Sequence, residues 1–479
     1  MDPIFFWIIG ILAFLFGTTY ILKKTIKPMT YLGIISIIRT QKFNRYLDRI
    51  AKHERFLNAV ADIGLIIGFG LLAIDYRYGR KKNPAKRIAI LAVSAIGLYV
   101  LLEALSFVFP VINALFTSPF IKDFEIMLKA LFVLFGLSGL IVGILAGYAV
   151  YILQNTLLGK KVCPGIAPII PGVQIPKVPF VVPLHAWISF LLIMLLHEGM
   201  HGALARKAKI TIKNTGLLLA GLLPIGAFVE PDEKQVKQKK PLEQLRFFSA
   251  GASANFLASL ILPVIILLFT LFVATPLFGA WAQEIKINSV QAVIISGVDE
   301  TIDVCGQLYP NPAFGVLEPG MQIKAIGDYN IISENGAYTA LGYELGKKPN
   351  GPIIFQLLDA SKNPVTKSIV PNELGIMRFT AEEIPNPNYI VPESYKIFSM
   401  ASELISGFLT WLILLNFFIA ITNFLPTDPL DGGKIAKVLL LPYFGFLHMN
   451  KKDTEKFIGR LLLWIIGILI ILNALPLLL

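Results

Sequence analysis

The sequence is divided into apolar runs of about 20 residues, which is the length that an α-helix needs to cross the hydrocarbon core of a bilayer. Hydrophobic residues make up 55% of the 479 residues and charged residues 15%, against roughly 25% charged residues in soluble domains. We therefore predict an α-helical polytopic membrane protein with about eight spans. The runs cover approximately residues 3–22, 56–74, 88–110, 127–153, 186–206, 246–273, 401–425 and a last run that ends at Leu479.

The chain carries a net charge of +12, from 43 basic and 31 acidic residues. The basic residues cluster in short loops beside the apolar runs, where they set orientation and meet anionic lipid headgroups. No basic stripe is interleaved with aromatic residues, so the lipid bilayer, and not nucleic acid, is the expected partner. The first run lacks the positive start and the small-residue cleavage site of a signal peptide, and we predict a retained span.

The run at residues 56–74 conflicts with a simple topology. Basic stretches flank it at residues 39–55, which we predict as an amphipathic surface helix, and at residues 77–87. The positive-inside rule cannot place both stretches in the cytoplasm if the run crosses the membrane once. Either the second stretch breaks the rule, or the glycine-broken segment 64–70 is re-entrant, and the sequence leaves both alternatives open.

The segment between residues 206 and 246 gives the strongest orientation signal. It contains basic residues that the positive-inside rule places in the cytoplasm: Arg206, Lys207, Lys209, Lys213, Lys234, Lys237, Lys239, Lys240 and Arg246. Residues 207–233 of this segment are apolar but are broken by glycine and proline. This pattern predicts a loop or short strands that dip into the membrane and line a cavity.

Residues 285–378 differ from the rest of the chain, because short β-like runs alternate with Gly, Pro and Asn. We predict a small β-rich soluble domain inserted between spans, on the extracytoplasmic side by parity. The predicted organisation is N-terminal spans and basic segments (1–160), the first half of a membrane core (161–280), the insert (285–378) and the second half of the core (400–479).

The motif His197-Glu198-Gly199-Met200-His201 lies inside one of the apolar runs. On a helix the two histidines share one face and can bind a single Zn²⁺ through their imidazole nitrogens. The glutamate is then close enough to act as general base towards water at the metal. Residues 191–196 carry no polar side chain, and polar groups at membrane depth are costly unless they pair or bind something.

Catalytic zinc normally takes three protein ligands and a water, so this motif needs one more ligand. His53 and His448 lie in charged loops and are expected to be ordinary surface residues, and His185 lies on the opposite side of the membrane from the second motif histidine. Cys163 and Cys305 are the only cysteines, which is too few for a thiolate site. Whether these two form a disulfide stays open.

Asp431 is the best-placed candidate for the third ligand. It follows an apolar run that returns to the cytoplasmic side, at the depth expected for the metal. Pro426 and Pro429 break the helix before it, and Gly432 and Gly433 let the backbone turn tightly after it. A broken helix with one carboxylate at membrane depth can aim a ligand into the protein interior.

These two motifs together resemble a known family. The HExxH run combined with residues 423–432 (NFLPTDPLDG) is similar to the paired motif of the site-2 protease family of intramembrane zinc metalloproteases. Residues 224–233 resemble the segment after the metal helix in the branch that includes the animal enzymes. Residues 251–256 (GASANF) resemble the family's Gly-x-x-x-Asn motif, although Ala252 stands where Pro is usual. Residues 315–331 resemble the glycine-containing strand pair of a PDZ domain, so the insert is expected to be PDZ-like.

The resemblance implies that His197, His201 and Asp431 hold one Zn²⁺ per chain, and that Glu198 activates water and passes the proton to the leaving amine. The implied substrates are transmembrane helices of membrane-anchored proteins, cleaved in regulated intramembrane proteolysis. The implied location is the cell membrane, in a multi-pass protein whose active site lies near the cytoplasmic side.

Other parts of the chain have expected roles in substrate binding. Asn255 and Asn423 are expected to form hydrogen bonds with substrate backbone or the oxyanion, and bridging of helices is their alternative role. A substrate helix must unwind before its amides are accessible, and residues 216–229 could hold the opened segment by β-addition. The insert could bind a peptide, exclude large ectodomains or only pack on the bundle.

Two other classes of function are compatible with parts of this sequence. A metal transporter could use His197, His201 and Asp431 as a transit site, but the sequence shows no internal repeat and a transit site does not need Glu198. A catalytically silent scaffold could bind membrane partners through the insert, although every expected catalytic residue is present. We therefore predict a zinc-dependent intramembrane endopeptidase.

Overall fold

The helices of this protein follow the apolar runs of its sequence. The computed structural model describes residues 3–25, 29–32, 35–108, 124–178, 180–221, 223–331, 337–347 and 351–478. In these residues seven helices are long and apolar enough to cross a membrane, and they correspond to seven of the predicted runs. The remaining run, residues 3–22, lies in a 23-residue helix. Together with small antiparallel sheets, these helices confirm the predicted class of polytopic helical membrane protein.

The described α-helices form two groups along the sequence, one before the HExxH motif and one from that motif onwards. Those before it are α1 (Pro3–Thr25), α2 (Asn44–Ala51), α3 (Glu54–Ile74), α4 (Pro84–Val108) and α5 (Glu125–Leu157). The motif lies in α6, and the helices from there on are α6 (Ala186–Lys207), α7 (Glu233–Gln238), α8 (Pro241–Phe269), α9 (Ala280–Ser289), α10 (Ala337–Lys347), α11 (Glu393–Asn423), α12 (Asp431–Leu440) and α13 (Lys451–Ala474). A π-helical segment, Thr270–Gly279, joins α8 to α9.

Helix α3 is a re-entrant hairpin. Gly70 in its interior has φ 54° and ψ −139°, a conformation open to glycine because it has no Cβ. Arg77, in the π-helical turn that continues α3, forms an ion pair with Asp62. Fifteen residues of straight helix would separate the two by about 22 Å, so the chain must turn back at Gly70. Of the two alternatives for residues 56–74, the structure therefore has the re-entrant one.

Helix α5 also folds back, whereas the sequence predicted a span there. Gly136 has φ 62° and ψ −152°. A Cβ on Gly143 would lie 2.6 Å from Leu131 and 2.8 Å from Leu128, a residue fifteen positions away that a straight helix could not bring close. Hydropathy did not reveal this turn, because both legs of the hairpin are as apolar as a span.

The two hairpins meet tip to tip. A Cβ on Gly70 would lie 2.6 Å from the backbone nitrogen of Gly136, and a Cβ on Gly136 would overlap the carbonyl oxygen of Ile67. The return leg of α3 has about nine residues and the first leg of α5 about twelve, which rise about 13 Å and 18 Å. The other two legs, residues 54–69 and 137–157, rise about 24 Å and 32 Å, so the two legs of each hairpin differ in length.

A four-stranded sheet lies beside α6. Its strands, in sheet order, are β1 (Met29–Leu32), β2 (Ile35–Thr40), β3 (Ile212–Ala220) and β4 (Leu223–Pro231), and all neighbours are antiparallel. Strands β3 and β4 confirm the short strands predicted after α6. The sequence did not predict β1 and β2, and residues 39–55, predicted as a helix, begin with the end of β2. The sheet extends towards α1, because a Cβ on Gly221 would lie 2.5 Å from Oγ1 of Thr18.

The insert is a separate β-rich unit. Its strands are β5 (Val290–Gly297), β6 (Thr301–Val304), β7 (Gln307–Pro310), β8 (Gln322–Ile326), β9 (Tyr329–Asn330), β10 (Ile353–Leu358), β11 (Pro364–Ile369) and β12 (Thr380–Pro385). They form a sheet of order β11-β10-β8-β5-β12, with β9 on β8, and a β6–β7 hairpin. Ile295, Ile323 and Phe355 are fully buried in its core. A disulfide between Cys163 and Cys305 ties the insert to the connector that leads into α6, which resolves the open question of their pairing.

Candidate metal centre

Three donor side chains from distant parts of the sequence converge inside the bundle. His197 and His201 lie one turn apart on α6, and Asp431 is the first residue of α12. The Asp431 Oδ2 atom lies 2.9 Å from Nε2 of His201 and 3.3 Å from Nε2 of His197. The two Nε2 atoms are 3.2 Å apart. Each residue is at most 7% exposed. Among the described residues, this is the group of His, Cys, Asp and Glu side chains that could hold a metal ion.

The spacing of these atoms fits a zinc ion. Zinc in proteins is tetrahedral with bonds of about 2.0–2.1 Å, which separates neighbouring ligand atoms by about 3.3 Å. Separations of 2.9–3.3 Å among the three donor atoms are close to this value. Two imidazoles and one carboxylate are also a donor set that zinc takes in catalytic sites, with a fourth position left for water.

The orientation of His201 is fixed by the backbone of the next membrane helix. Its Nδ1 atom lies 2.8 Å from the carbonyl oxygen of Phe247 in α8. A carbonyl only accepts, so Nδ1 carries the proton and donates it. The Nε2 lone pair then points to the other two donor side chains, which is how ligating histidines are usually oriented.

His197 has its outer contact with Asn255, which is fully buried in α8. The Asn255 Nδ2 atom lies 3.1 Å from Nδ1 of His197, and Oδ1 of Asn255 is buried without a partner. A half-turn of the amide would place Oδ1 there instead, where it accepts a hydrogen bond from Nδ1 and leaves the Nε2 lone pair for a metal. Gly251, one turn earlier, permits this approach, since a Cβ there would lie 2.5 Å from the His197 ring.

Glu198 points towards strand β4. Its Oε2 atom accepts a hydrogen bond of 2.9 Å from the backbone N–H of Val229. This bond holds one carboxylate oxygen and leaves the other oxygen for proton transfer. The structure thus brings the general-base candidate of the HExxH motif to the edge of the four-stranded sheet.

The turn that leads to Asp431 is held on both sides. Asp428 accepts two hydrogen bonds of 2.9 Å from Lys437, and Lys434 Nζ lies 3.3 Å from Oδ1 of Asp431. Gly432 is required, because a Cβ there would overlap the carbonyl oxygen of Leu425 and lie 2.5 Å from that of Phe424. The broken helix predicted from the prolines and glycines of this region therefore presents Asp431 to the two histidines.

The other candidate residues are not members of this donor group. Asn423 forms a hydrogen bond of 3.0 Å with the carbonyl oxygen of Ile419 in its own helix. His185 precedes the first residue of α6, His53 precedes α3, and His448 follows α12. Lys434 and the carbonyl of Phe247 contact the centre and were not predicted. Lys434 could have been found from its position three residues after Asp431 on a helix, whereas the carbonyl contact of Phe247 has no signal in the sequence.

Comparison with known proteins agrees with this geometry. The sequence profile of Peptidase family M50 matches residues 185–466. The chain is also similar to an uncharacterized protein from Methanocaldococcus jannaschii, with 26% identity over 293 residues. That match spans 60% of this chain and 62% of the relative, which is less than two thirds of the relative's length. The profile covers more than half of the chain and includes all three donor residues, and the chain therefore belongs to Peptidase family M50, the site-2 protease family of metallopeptidases.

Proposed function

We propose that this protein is a zinc-dependent intramembrane endopeptidase that cleaves transmembrane helices of membrane-anchored proteins. The observation that carries the proposal is the convergence of His197, His201 and Asp431 within the helical bundle, with Glu198 beside them. Charged and metal-ligating groups among membrane helices are costly and are usually functional. Since α6 is itself an apolar membrane helix, the peptide bonds within reach of these residues belong to segments in the bilayer.

Each of these side chains has a distinct proposed role. His197, His201 and Asp431 would hold one zinc ion per chain through Nε2, Nε2 and Oδ2. Zinc at such a centre supplies a Lewis acid that makes water a competent nucleophile near neutral pH and polarises a carbonyl. Glu198 takes the proton from the attacking water and delivers it to the amine that leaves. The Val229 N–H keeps the Glu198 carboxylate oriented during both transfers.

Strand β4 provides the edge for an unwound substrate. The outer edge of β3 is covered by β2, so the free edge of this hairpin is the edge of β4 that faces α6. At that edge the N–H of Val229 bonds Glu198, whereas Ala227, two residues earlier on the same side, would pair with the substrate backbone. An extended peptide added to this edge would have its carbonyl groups next to Glu198. Asn423 and Asn255 remain proposed contacts of the substrate or the oxyanion.

The proposed orientation follows from charge and from the disulfide. The basic segment between α6 and α8 supports a cytoplasmic location for the end of α6. The insert lies at the opposite end, and its disulfide to the connector is typical of oxidising compartments. We accordingly propose a cell-membrane protein with the domain division 1–160, 161–280, 285–378 and 400–479, in which a PDZ-like extracytoplasmic insert binds peptides or selects substrates by size.

A transporter is the second candidate, because broken membrane helices are typical of transporters. The surroundings of the hairpin tips weigh against it. Leu65, Phe69, Phe132 and Leu137 are buried near the tips as part of one apolar core cluster. A transit path for ions needs polar groups, and these four side chains are apolar.

Removal of the metal tests the proposed function. We expect detergent-purified protein to contain one zinc per chain and to cleave a model transmembrane substrate. Chelation should abolish cleavage, and stoichiometric zinc should restore it, because the three donors cannot activate water alone. Zinc content by elemental analysis and cleavage by gel assay are measured on the same samples. Undiminished cleavage by metal-stripped protein would contradict the proposal.

The contact between Asn255 and His197 gives a second expectation. Replacing Asn255 with Leu removes the hydrogen bond to Nδ1 and should weaken zinc binding about 10- to 100-fold, the range for partners that orient a ligating histidine. The measurement is competition with a fluorescent chelator. Asn416→Leu is the matched control, since Asn416 is also buried but bonds the carbonyl of Leu412 in its own helix. Equal affinities of the two variants would argue against this role of Asn255.

A further inference from the structure

The α3 hairpin lies outside the residues that match the family profile, yet it contacts the elements that carry the metal centre. Its first leg packs between α6 and α8. Leu57 and Ala61 belong to one buried cluster with Met200 and Leu204, which flank His201 on α6. The hairpin is therefore in direct contact with the helix that carries both histidines.

Gly64 brings the same leg against α8. A Cβ on Gly64 would overlap the side chain of Ser253, so only glycine fits at this contact. Ser249, one turn earlier on α8, donates a hydrogen bond of 3.1 Å to the carbonyl oxygen of Ala61. Ser253 lies two residues from Asn255, the partner of His197. The hairpin thus supports the helix that orients the ligands as well as the ligand helix itself.

Gly68 brings the tip of the hairpin against the turn that carries Asp431. A Cβ on Gly68 would lie 2.5 Å from Cδ1 and Cε1 of Phe424. Phe424 is fully buried, and the ring of Phe69 meets it edge-on with 6.4 Å between ring centroids. The Phe424 carbonyl in turn lies against Gly432, the residue after Asp431. The α3 hairpin is therefore connected to the Asp431 turn through the tightly packed side chain of Phe424.

The return leg of the α3 hairpin is attached to the chain just after α12. Asp75 accepts hydrogen bonds of 2.6 Å from Arg87 and 2.5 Å from the hydroxyl of Tyr443, which follows α12. Burial and this hydrogen bond raise the pKa of Tyr443 to about 12, so its hydroxyl keeps its proton and donates. Helix α12 is consequently connected to α3 both before and after Asp431.

We infer that the α3 hairpin is a positioning element of the metal centre, and that the contact between Gly68 and Phe424 sets the place of Asp431 relative to the two histidines. Asp431 is 230 residues from His201, so nothing in the local chain fixes their separation. Packed interiors transmit displacement because they contain few voids. The inference rests on the proposed function in one respect, namely that Asp431 is a zinc ligand.

Gly68→Ala tests this inference. The new methyl group should displace the Phe424 ring and with it the Asp431 turn, which raises the Kd for zinc at least about tenfold, as for other changes that misorient ligands. The matched control is Gly97→Ala in α4, where a Cβ meets no atom within 4 Å. Zinc affinity is measured on purified full-length protein by chelator competition, with helix content and monodispersity recorded for each variant.

A second variant separates positioning from general damage. Phe424→Leu shortens the facing side chain, and combining it with Gly68→Ala should return zinc affinity to within threefold of Phe424→Leu alone. A folded Gly68→Ala variant with wild-type affinity would overturn the inference. If that variant does not fold, Phe424→Leu alone decides: weaker zinc binding in a folded protein supports the inference, and unchanged binding overturns it.

Substrate is absent from these measurements, so they do not depend on peptidase activity. If the wild type and a folded Gly68→Ala variant bind zinc with equal affinity, the positioning role is overturned and the proposed function is left intact. Zinc binding without cleavage of any substrate would oppose the proposed function and leave the positioning role intact. A wild type that binds no zinc would overturn both.

Discussion

Glu198→Gln is expected to reduce cleavage of a model transmembrane substrate about 10²- to 10⁴-fold, the usual contribution of a positioned general acid–base group. Glutamine has nearly the same shape, and its side-chain oxygen can still accept the hydrogen bond from Val229. It cannot take a proton from water, however. The zinc content of the variant should therefore stay at one per chain while turnover is lost.

The control for this variant is Glu230→Gln, on the same strand. Glu230 accepts a hydrogen bond of 2.9 Å from Asn214 and is exposed, so its replacement should change neither zinc content nor cleavage. Equal rates for wild type and Glu198→Gln would contradict the general-base role. Zinc in both proteins but cleavage by neither would favour a catalytically silent scaffold that binds partners through the insert.

Asp431→Asn should cause the largest loss of metal. The substitution keeps the shape of the side chain but replaces the anionic donor with a neutral amide, and two imidazoles alone bind zinc weakly. The loss of affinity should exceed the roughly 100-fold upper range for partners that only orient a ligand. Both zinc content and cleavage should then fall to background, as measured by elemental analysis and by the gel assay on the same preparation.

Asp428→Asn is the control within the same turn. Asp428 pairs with Lys437 and its side chain is 43% exposed, so its loss should weaken the turn without removing a donor. We expect zinc to be retained in this variant. If Asp431→Asn binds zinc with wild-type affinity, Asp431 is not a ligand. A different residue would then have to be the third donor beside the two histidines.

The sequence was informative where one short segment carries the signal. The lengths of the apolar runs predicted the membrane helices, and the four-residue spacing of His197 and His201 predicted a shared face. Asp431 was predicted because prolines and glycines around it break a helix at membrane depth. Each of these signals is local, since it depends on residues within about one or two helical turns.

The features that the sequence did not reveal depend on distant contacts. A hairpin such as α5 has the composition of a span, and the backbone angles of Gly136 and the contact of Gly143 with Leu128 show that it folds back. Strand β2 is defined by pairing with β3, which is about 180 residues away, and β1 is defined by pairing with β2. The contact of Gly68 with Phe424 joins two apolar residues whose spacing along the chain carries no pattern.

The disulfide gives the chain an unusual connectivity. Residues 163–305 form a covalent ring, because Cys163 and Cys305 close it. His197, Glu198 and His201 lie inside this ring, and a single peptide-bond cut within it would release no fragment under non-reducing conditions. Asp431 lies on the linear tail outside the ring. An ion bound by all three donors therefore links ring and tail, and the centre closes only when these two covalently distinct parts of the chain are brought together.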